Sequence, residues 1–390
     1  MQPFPITAVA LCNGMGDTTA AVLAALRAGR SGLGPSPPEF ELSATVGAIA
    51  GPLPPLPAAL ADHDTRQARI AALALSELQG PLARARARWG ADRIAIVLGT
   101  STGGIGASER AYAHAHAHAG ALPPGYTVAR SHALDAVLPV ARALGGGLAG
   151  PAYVVSTACS SSAKVLASAQ RLLQTGLCDA ALVGGVDSLC ALTVRGFAGL
   201  EVLSPVPCRP FSRERAGINI GEGAALLLLE RTGDGPARLL AVGESSDAYH
   251  MTSPHPEGLG ARLAMERALA LAGLPAEVVD HVNAHGTGTR QNDAMESLAI
   301  RAVLGPAVPV VATKGYTGHM LGAAGATEVA FVVDAIEHGY LPASVGADPL
   351  DETLGVDVVT ARREQRTRAA LSNSFAFGGS NVSVLIGAPA

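Results

Sequence analysis

The sequence predicts an α/β fold whose sheets are covered by helices on both faces, and three observations carry that expectation. Short, continuously apolar runs alternate with Ala/Leu-rich stretches of helical length; strands without polar alternation are those buried on both sides. The 390 residues are 48% hydrophobic but only 15% charged and 4% aromatic, with 46 glycines, a composition of small, closely packed side chains in more than one packed unit. The chain also resembles itself. "AYVVSTACSSSAKVLASAQRLLQTG" and "PVVATKGYTGHMLGAAGATEVAFVVDAIEHG" both run strand, small-residue turn and Ala-rich helix, ending at Gly176 and Gly339.

In chain order, "MQPFPITAVALCNG" has a short apolar stretch and no basic start, so no secretory signal is expected. Residues 30–60 are rich in Pro, Gly and Ser and read as surface loop. The arginines of "RARARW" (84–89) alternate and would scatter around a helix. "RIAIVLGTS" (93–101) reads as a buried strand. In "AYAHAHAHAG", His114, His116 and His118 would share a face only on a strand. A helix or loop without metal is the expectation there. "AYVVST" reads as a strand, and Val165, Leu166, Ala169, Leu172 and Leu173 then recur at helical spacing, with Gly176 as the stop. "AALVGGV", "AALLLLER", "VDHVNAHG", "PVVATKG" and "NVSVLIG" continue the strand series. Gly, Asp and Pro cluster in "RTGDGPARL" (231–239), which divides the chain into halves 1–235 and 236–390.

A net charge of -4 and no basic stripe with interleaved aromatics argue against a general nucleic-acid binder. Cys12, Cys159, Cys178, Cys190 and Cys208 are odd in number and lack CxxC spacing, so neither a disulfide framework nor a zinc site is expected. The apolar runs fall short of a membrane span, and the expected location is cytoplasmic.

Four polar clusters stand at strand ends or in glycine-rich turns, where α/β folds display chemistry. Cys159, at the start of a helix, reads first as a packed core thiol; helix N-terminal N–H groups there would also favour a thiolate. Ser160, Ser161 and Ser162 are small enough for a substrate to approach and also suit tight packing of the helix, and the two readings are compatible. His285 lies between an apolar strand and Gly286, with Asp293 and Glu296 three apart on one helical face beyond it. Lys314 and His319 lie in a Gly-rich loop, and Glu328 follows nine residues after His319; buried beside Glu328, Lys314 would be charge-paired. In "SNSFAFGGSN", Phe375 and Phe377 precede two glycines in a turn able to offer a backbone N–H to an oxyanion.

Together, "TACSSS", "NAHGTGT", "TKGYTGHMLGAAG" and "NSFAFGGSN", with "LRAGRSGL" (26–33) and "CRPFSRERAGINIGEGAA" (208–225), resemble the β-ketoacyl–acyl carrier protein synthases of the condensing-enzyme family, of the elongating Cys-His-His type. The resemblance spans nearly the whole chain. It implies a thiolase-like fold of two related halves in five layers, αβαβα. It implies that Cys159 takes the acyl chain from an acyl carrier protein, with the N–H groups of Cys159 and Phe377 as oxyanion hole. His285 and His319 would hold the malonyl thioester carbonyl while carbon dioxide leaves, and the carbanion would attack acyl-Cys159. Lys314 with Glu328 would set the electrostatics of the histidines, and Phe377 would gate the acyl pocket beside Phe375. No metal, nucleotide or flavin is implied. An acidic carrier would dock on basic residues, with Arg66, Arg69 and Arg209 as candidates.

"TKGYTGH" and "GINIGEGAA" are similar to branches serving specialised polyketide-like products such as aryl polyenes. Three positions depart from the family pattern: Ala376 for a Gly, Ser380 for a Thr, and Lys164 where relatives often carry His. A thiolase would carry a second active-site cysteine near the C-terminus, but the last cysteine is Cys208. A starter-type synthase would use one His with Asn. A non-catalytic chain-length factor would lack the nucleophile, leaving a homodimer, or a heterodimer with such a partner, as the implied assembly.

Overall fold

The computed structural model describes residues 1–389. Ten strands carry the architecture. In the first half they are β1 (Phe4–Asn13), β2 (Ile94–Gly99), β3 (Ala152–Val155), β4 (Ala180–Asp187) and β5 (Gly223–Glu230). In the second they are β6 (Ala237–Ser246), β7 (Val279–Asn283), β8 (Pro309–Val311), β9 (Ala369–Ala376) and β10 (Ser380–Gly387). Their spatial orders are β3-β2-β4-β5-β1 and β8-β7-β9-β10-β6. Both therefore read third, second, fourth, fifth, first. In both, the fifth strand runs antiparallel to its neighbours and the other adjacent pairs run parallel. Antiparallel pairing of Phe4–Ile6 with Ala237–Leu239 joins the two sets, and the short strand Asp357–Val358 extends the edge beyond β8.

Seven helices matter to the site: α1 (Arg66–Glu77), α2 (Ile105–Ala117), α3 (Ser161–Gln174), α4 (Ala191–Gly199), α5 (Leu259–Ala272), α6 (Arg290–Leu304) and α7 (Ala324–His338). Helices α3 and α7 lie between the sheets. Val165, Leu166 and Leu173 of α3 and Val329, Phe331 and Val333 of α7 pack with Ala95 and Val97 from one sheet and Val382 and Val384 from the other. The strands are apolar on both faces for this reason. Ala95 and Val97 point to the central helices, while Ile94, Ile96 and Leu98 point outward to Ile70, Ala74 and Leu75 of α1. On the far side, Met265 of α5 and Ile300 of α6 cover Val282, Leu371 and Leu385. The result is five layers, αβαβα.

The two stretches that resemble each other in sequence, β3–α3 and β8–α7, hold the same position in their halves. They meet closely at Gly325, where an added Cβ would stand 2.9 Å from the Ala163 Cβ. The stretch 30–60 is a correction to the surface-loop expectation. Val46 is buried, and Thr45–Gly47 forms a small sheet with Gly34–Pro35 and Ile220–Gly221. Phe40, Ile49 and Leu53 are buried as well. Prolines and glycines dominate its composition, but from Phe40 to Leu60 buried apolar anchors recur every three to six residues.

Candidate active site

The parallel strands of both halves end at one place. Chain segments leaving β3, β7, β8 and β9 bring Cys159, His285, His319 and Phe377 to the same pocket, with Lys314 behind His285. Cys159 is 7% exposed and lies two residues before α3. Ala158, just before it, holds φ +51°, a left-handed conformation that costs a non-glycine residue roughly 1 kcal/mol. The turn is held by its neighbours. The Ser161 Oγ donates to the Ala158 carbonyl at 2.6 Å and accepts the Thr157 N–H at 2.9 Å.

The three serines are fully buried. Ser162 Oγ accepts the Ala326 N–H from α7, and Ser160 Oγ donates to the Thr157 carbonyl. They are packing residues that tie the turn and the central helices together. Burial also corrects the expectation of a helix-lowered thiol. Desolvation pushes the Cys159 thiol up to about 11, with Lys314 and the backbone N–H groups of Phe377 and Cys159 pulling the other way.

His319 Nε2 stands 2.9 Å from the Cys159 sulfur. The His285 ring lies edge-on to His319 with centroids 5.3 Å apart, and Phe375 packs against His285 at 6.0 Å. Behind them Lys314 Nζ donates to the His285 carbonyl and to Glu328, and lies 3.3 Å from His285 Nδ1. Lysine only donates, so His285 Nδ1 accepts and its Nε2 carries the proton. Burial, and after it Lys314, hold both imidazoles well below the usual histidine range, which makes them neutral hydrogen-bonding groups at physiological pH. Glu328 is pushed up to about 7 by burial, with Lys314 opposing.

The turn Phe377–Gly379 follows β9, with Gly378 at φ +82°. The Phe377 ring is 37% exposed and tilts against Phe197 at 5.9 Å. The cavity beside Cys159 measures about 100 Å³ and is lined by Phe197, Val202, Ile218, Met251, Phe375 and Phe377, among others.

The structure adds carboxylates whose role the sequence reading left open. Glu296 accepts the N–H groups of His285 at 2.8 Å and Gly286 at 2.9 Å, and Asn373 donates to it. Asp293 accepts the N–H of Gly288 and of Phe211. The shared helical face of Asp293 and Glu296 on α6 thus grips the His285 loop. The i, i+3 spacing was the available signal. Asp187, at the end of β4, was not singled out and accepts four donors from residues 100–102. No motif marks it.

The basic candidates separate. Arg66 pairs with the fully buried Glu222, which also accepts the N–H groups of Ile49 and Leu189. Arg69 pairs with Asp64. Neither lines the Cys159 cavity; both face a separate hollow with Glu39 and Glu109. Arg209 pairs with Glu214, and its backbone packs against Gly288, in the loop that lines the cavity. Lys164, one turn into α3, lies 3.5 Å from Glu244 of β6, which also pairs with Arg171. Ser380 Oγ lies 3.2 Å from Ser160 Oγ. The His114 and His118 rings stack on α2 at 3.9 Å, and no group of three metal-ligating side chains occurs among the described residues.

The family model described as the β-ketoacyl synthase N-terminal domain matches residues 2–234, and that of the C-terminal domain matches residues 237–348. The chain belongs to the β-ketoacyl synthase family. Among curated relatives of this synthase is nodulation protein E of Rhizobium meliloti (strain 1021), 35% identical over 95% of both chains. Another is 3-oxoacyl-[acyl-carrier-protein] synthase 2 of Vibrio cholerae serotype O1, 38% identical over 61% of this chain and 63% of that one. Among solved structures, a ketosynthase of Xenorhabdus doucetiae in complex with its chain length factor superposes with a TM-score of 0.92 at 38% identity, covering 99% and 98% of the two chains. The ishigamide ketosynthase/chain length factor follows at 0.90 and 30%, covering 99% of each. The thiolase-like fold inferred from the motifs is the fold of these ketosynthases.

Proposed function

We propose that this synthase condenses malonyl–carrier protein with an acyl group held on Cys159, lengthening a fatty acid or polyketide-type chain. The observation that carries the assignment is the Cys159 sulfur 2.9 Å from His319 Nε2, with His285 alongside and Lys314–Glu328 behind. The half 1–235 supplies the nucleophile; the half 236–390 supplies the histidines, Lys314 and Phe377.

In the first step the Cys159 sulfur attacks the acyl thioester and the carrier thiol leaves with the proton. The Phe377 and Cys159 N–H groups, which favour negative charge at the sulfur, stabilise the oxyanion. Malonyl thioester then enters, and the Nε2–H of His285 together with His319 holds its carbonyl oxygen. The C–C bond to the carboxylate breaks, carbon dioxide departs, and the electron pair is held as the enolate. That carbon attacks acyl-Cys159, the C–S bond breaks with its electron pair going to the Cys159 sulfur, and the sulfur takes up a proton from solvent to restore the thiol. Neutral imidazoles suit this task because they donate to the enolate oxygen without surrendering the proton early.

Phe375 and Phe377 both line the cavity beside Cys159, and Phe377 is partly exposed in a turn that contains Gly378 at φ +82°. That supports a gate at Phe377, with Phe375 lining the pocket. The acidic acyl carrier protein docks with help from Arg209. The synthase works as a homodimer or beside a chain-length-factor-like partner, as two of its structural neighbours are described with a chain length factor. Five free, buried cysteines suit a reducing cytoplasm. Among the described residues no helix is long and apolar enough to cross a membrane.

The test is intact mass measurement after exposure to acyl carrier proteins of graded chain length. One acyl adduct on Cys159 is expected, with none on Cys159→Ala. Malonyl decarboxylation survives in Cys159→Ala and is lost in His285→Ala and in His319→Ala. An adduct on another residue, or wild-type decarboxylation in either histidine variant, overturns the assignment.

A further inference from the structure

We propose that Asp187 is a positioning residue, holding the Cys159 turn and the His319 segment in register through residues 100–102. This rests on the reading of Cys159 as the acylated nucleophile and adds the element that sets its geometry. Asp187 is fully buried at the carboxyl end of β4. Its Oδ1 accepts the N–H groups of Ser101 and Thr102, each at 2.9 Å, and the hydroxyls of Thr100 and Thr102. Gln67 of α1 closes the network, donating to Thr100 Oγ1 at 2.8 Å and to the Val186 carbonyl at 3.1 Å. A buried carboxylate with this many donors is rigid.

Two contacts lead from it to the reacting groups. Ser101, whose N–H is fixed by Asp187, donates through Oγ to the Ala158 carbonyl at 3.0 Å. Ala158 is the left-handed residue directly before Cys159, so this bond helps hold the strained turn that aims the sulfur. On the other side, Gly322 lies three residues after His319. A Cβ at Gly322 would stand 2.7 Å from the Ser101 nitrogen and 2.8 Å from Asp187 Oδ2. The His319 segment therefore rests directly on the Asp187–Ser101 pair. One carboxylate in the first half supports both partners of the 2.9 Å sulfur–imidazole contact, one from each half.

Asp187 touches neither the sulfur nor the imidazole, and its charge, opposed there by Lys314, works against thiolate formation at Cys159. Charge and positioning thus predict opposite outcomes for Asp187→Asn. The asparagine NH₂ would face the Ser101 N–H or crowd Gly322, loosening the turn while removing the anion. Site-resolved alkylation of Cys159 by iodoacetamide across pH, acyl transfer from carrier protein, and thermal melting are measured on the full chain. Ser101→Ala keeps the carboxylate and deletes only the bond to Ala158.

The expected result is acyl transfer slowed about fivefold in Ser101→Ala, the worth of one hydrogen bond, with the melting temperature lowered by no more than a few degrees. Asp187→Asn slows acyl transfer further, while its alkylation midpoint moves to lower pH. Wild-type acyl transfer in Ser101→Ala overturns the proposal, as does a loss that only parallels a lower melting temperature. Faster acyl transfer in Asp187→Asn assigns Asp187 to electrostatics alone and overturns it too. Should Asp187→Asn not fold, Ser101→Ala decides. The alkylation readout needs no condensation, so a failure of the synthase reading, seen as absent acylation in the wild type, is distinguishable.

Discussion

Lys314 holds the two imidazoles neutral from a position where it need not touch substrate. Burial lowers both histidines first and the ammonium adds to it. Replacing it with an uncharged side chain lets both histidine pKa values rise, so protonation on acidification begins at higher pH. For Lys314→Met, the acid limb of malonyl decarboxylation is expected to move to higher pH, with the alkaline plateau retained in part. A pH–rate profile with an unmoved acid limb would refute this. Arg66 and Arg209 separate by what they leave behind. Arg66→Ala strands Glu222, which is wholly buried, and should cost about 2 to 4 kcal/mol in urea denaturation, less than the roughly 3 to 5 kcal/mol of a fully buried pair because the Arg66 side chain is 35% exposed. Arg209→Glu frees only an exposed partner and should raise the KM for carrier protein with stability unchanged. Equal stability losses in the two would contradict this division.

At the scale of elements, the chemistry sits where equivalent strands of the two halves end, and the central helices fix the spacing between halves. Gly325 is a close approach of α7 to α3, with Ala163 Cβ and Ser374 Oγ each 2.9 Å from an added Cβ. Gly325→Val should therefore destabilise the fold by about 1 to 3 kcal/mol. It should also lower kcat, since Glu328 rides on α7 and Cys159 sits in the turn that leads into α3. Unchanged denaturation and kcat would show that the helices can yield there. Strand and helix existence, and the likeness of β3–α3 to β8–α7, were legible because apolar periodicity and glycine stops are local signals. The site motifs were legible as well, since Cys159, His285, Lys314, His319 and Phe377 each stand in a compact signature. What escaped was non-local. The buried run within 30–60 owes its burial to partners such as Ile220. Asp187 acquires its role from donors some 85 residues away. The pairing of Arg66 with Glu222 spans 156 positions. No window of sequence contains such pairs.

For the whole molecule, the open feature is the sheet edge at β3. This strand ends the eleven-stranded order and leads directly to the Cys159 turn. The Ile96 N–H donates to the Pro151 carbonyl and the Thr100 N–H to the Val155 carbonyl. The parallel ladder alternates, so Tyr153 also faces β2, and the N–H and C=O groups of Ala152 and Val154 point outward. An outward row of this kind pairs readily with another chain. Tyr153 is exposed beside it. Val154→Pro removes one outward donor and leaves the β2 ladder intact, the placement in which an edge strand tolerates proline. Wild-type protein, alone or co-purified with a chain-length-factor-like partner, is expected to run at about twice the 39.2 kDa chain mass in light scattering. Val154→Pro is expected to run as a folded single chain with far-UV circular dichroism unchanged. Because the same strand carries the turn before Cys159, its acyl-transfer rate should fall together with the loss of pairing. A Val154→Pro protein that keeps the double mass would place the contact on another face, such as the one bearing Tyr112 and Val128.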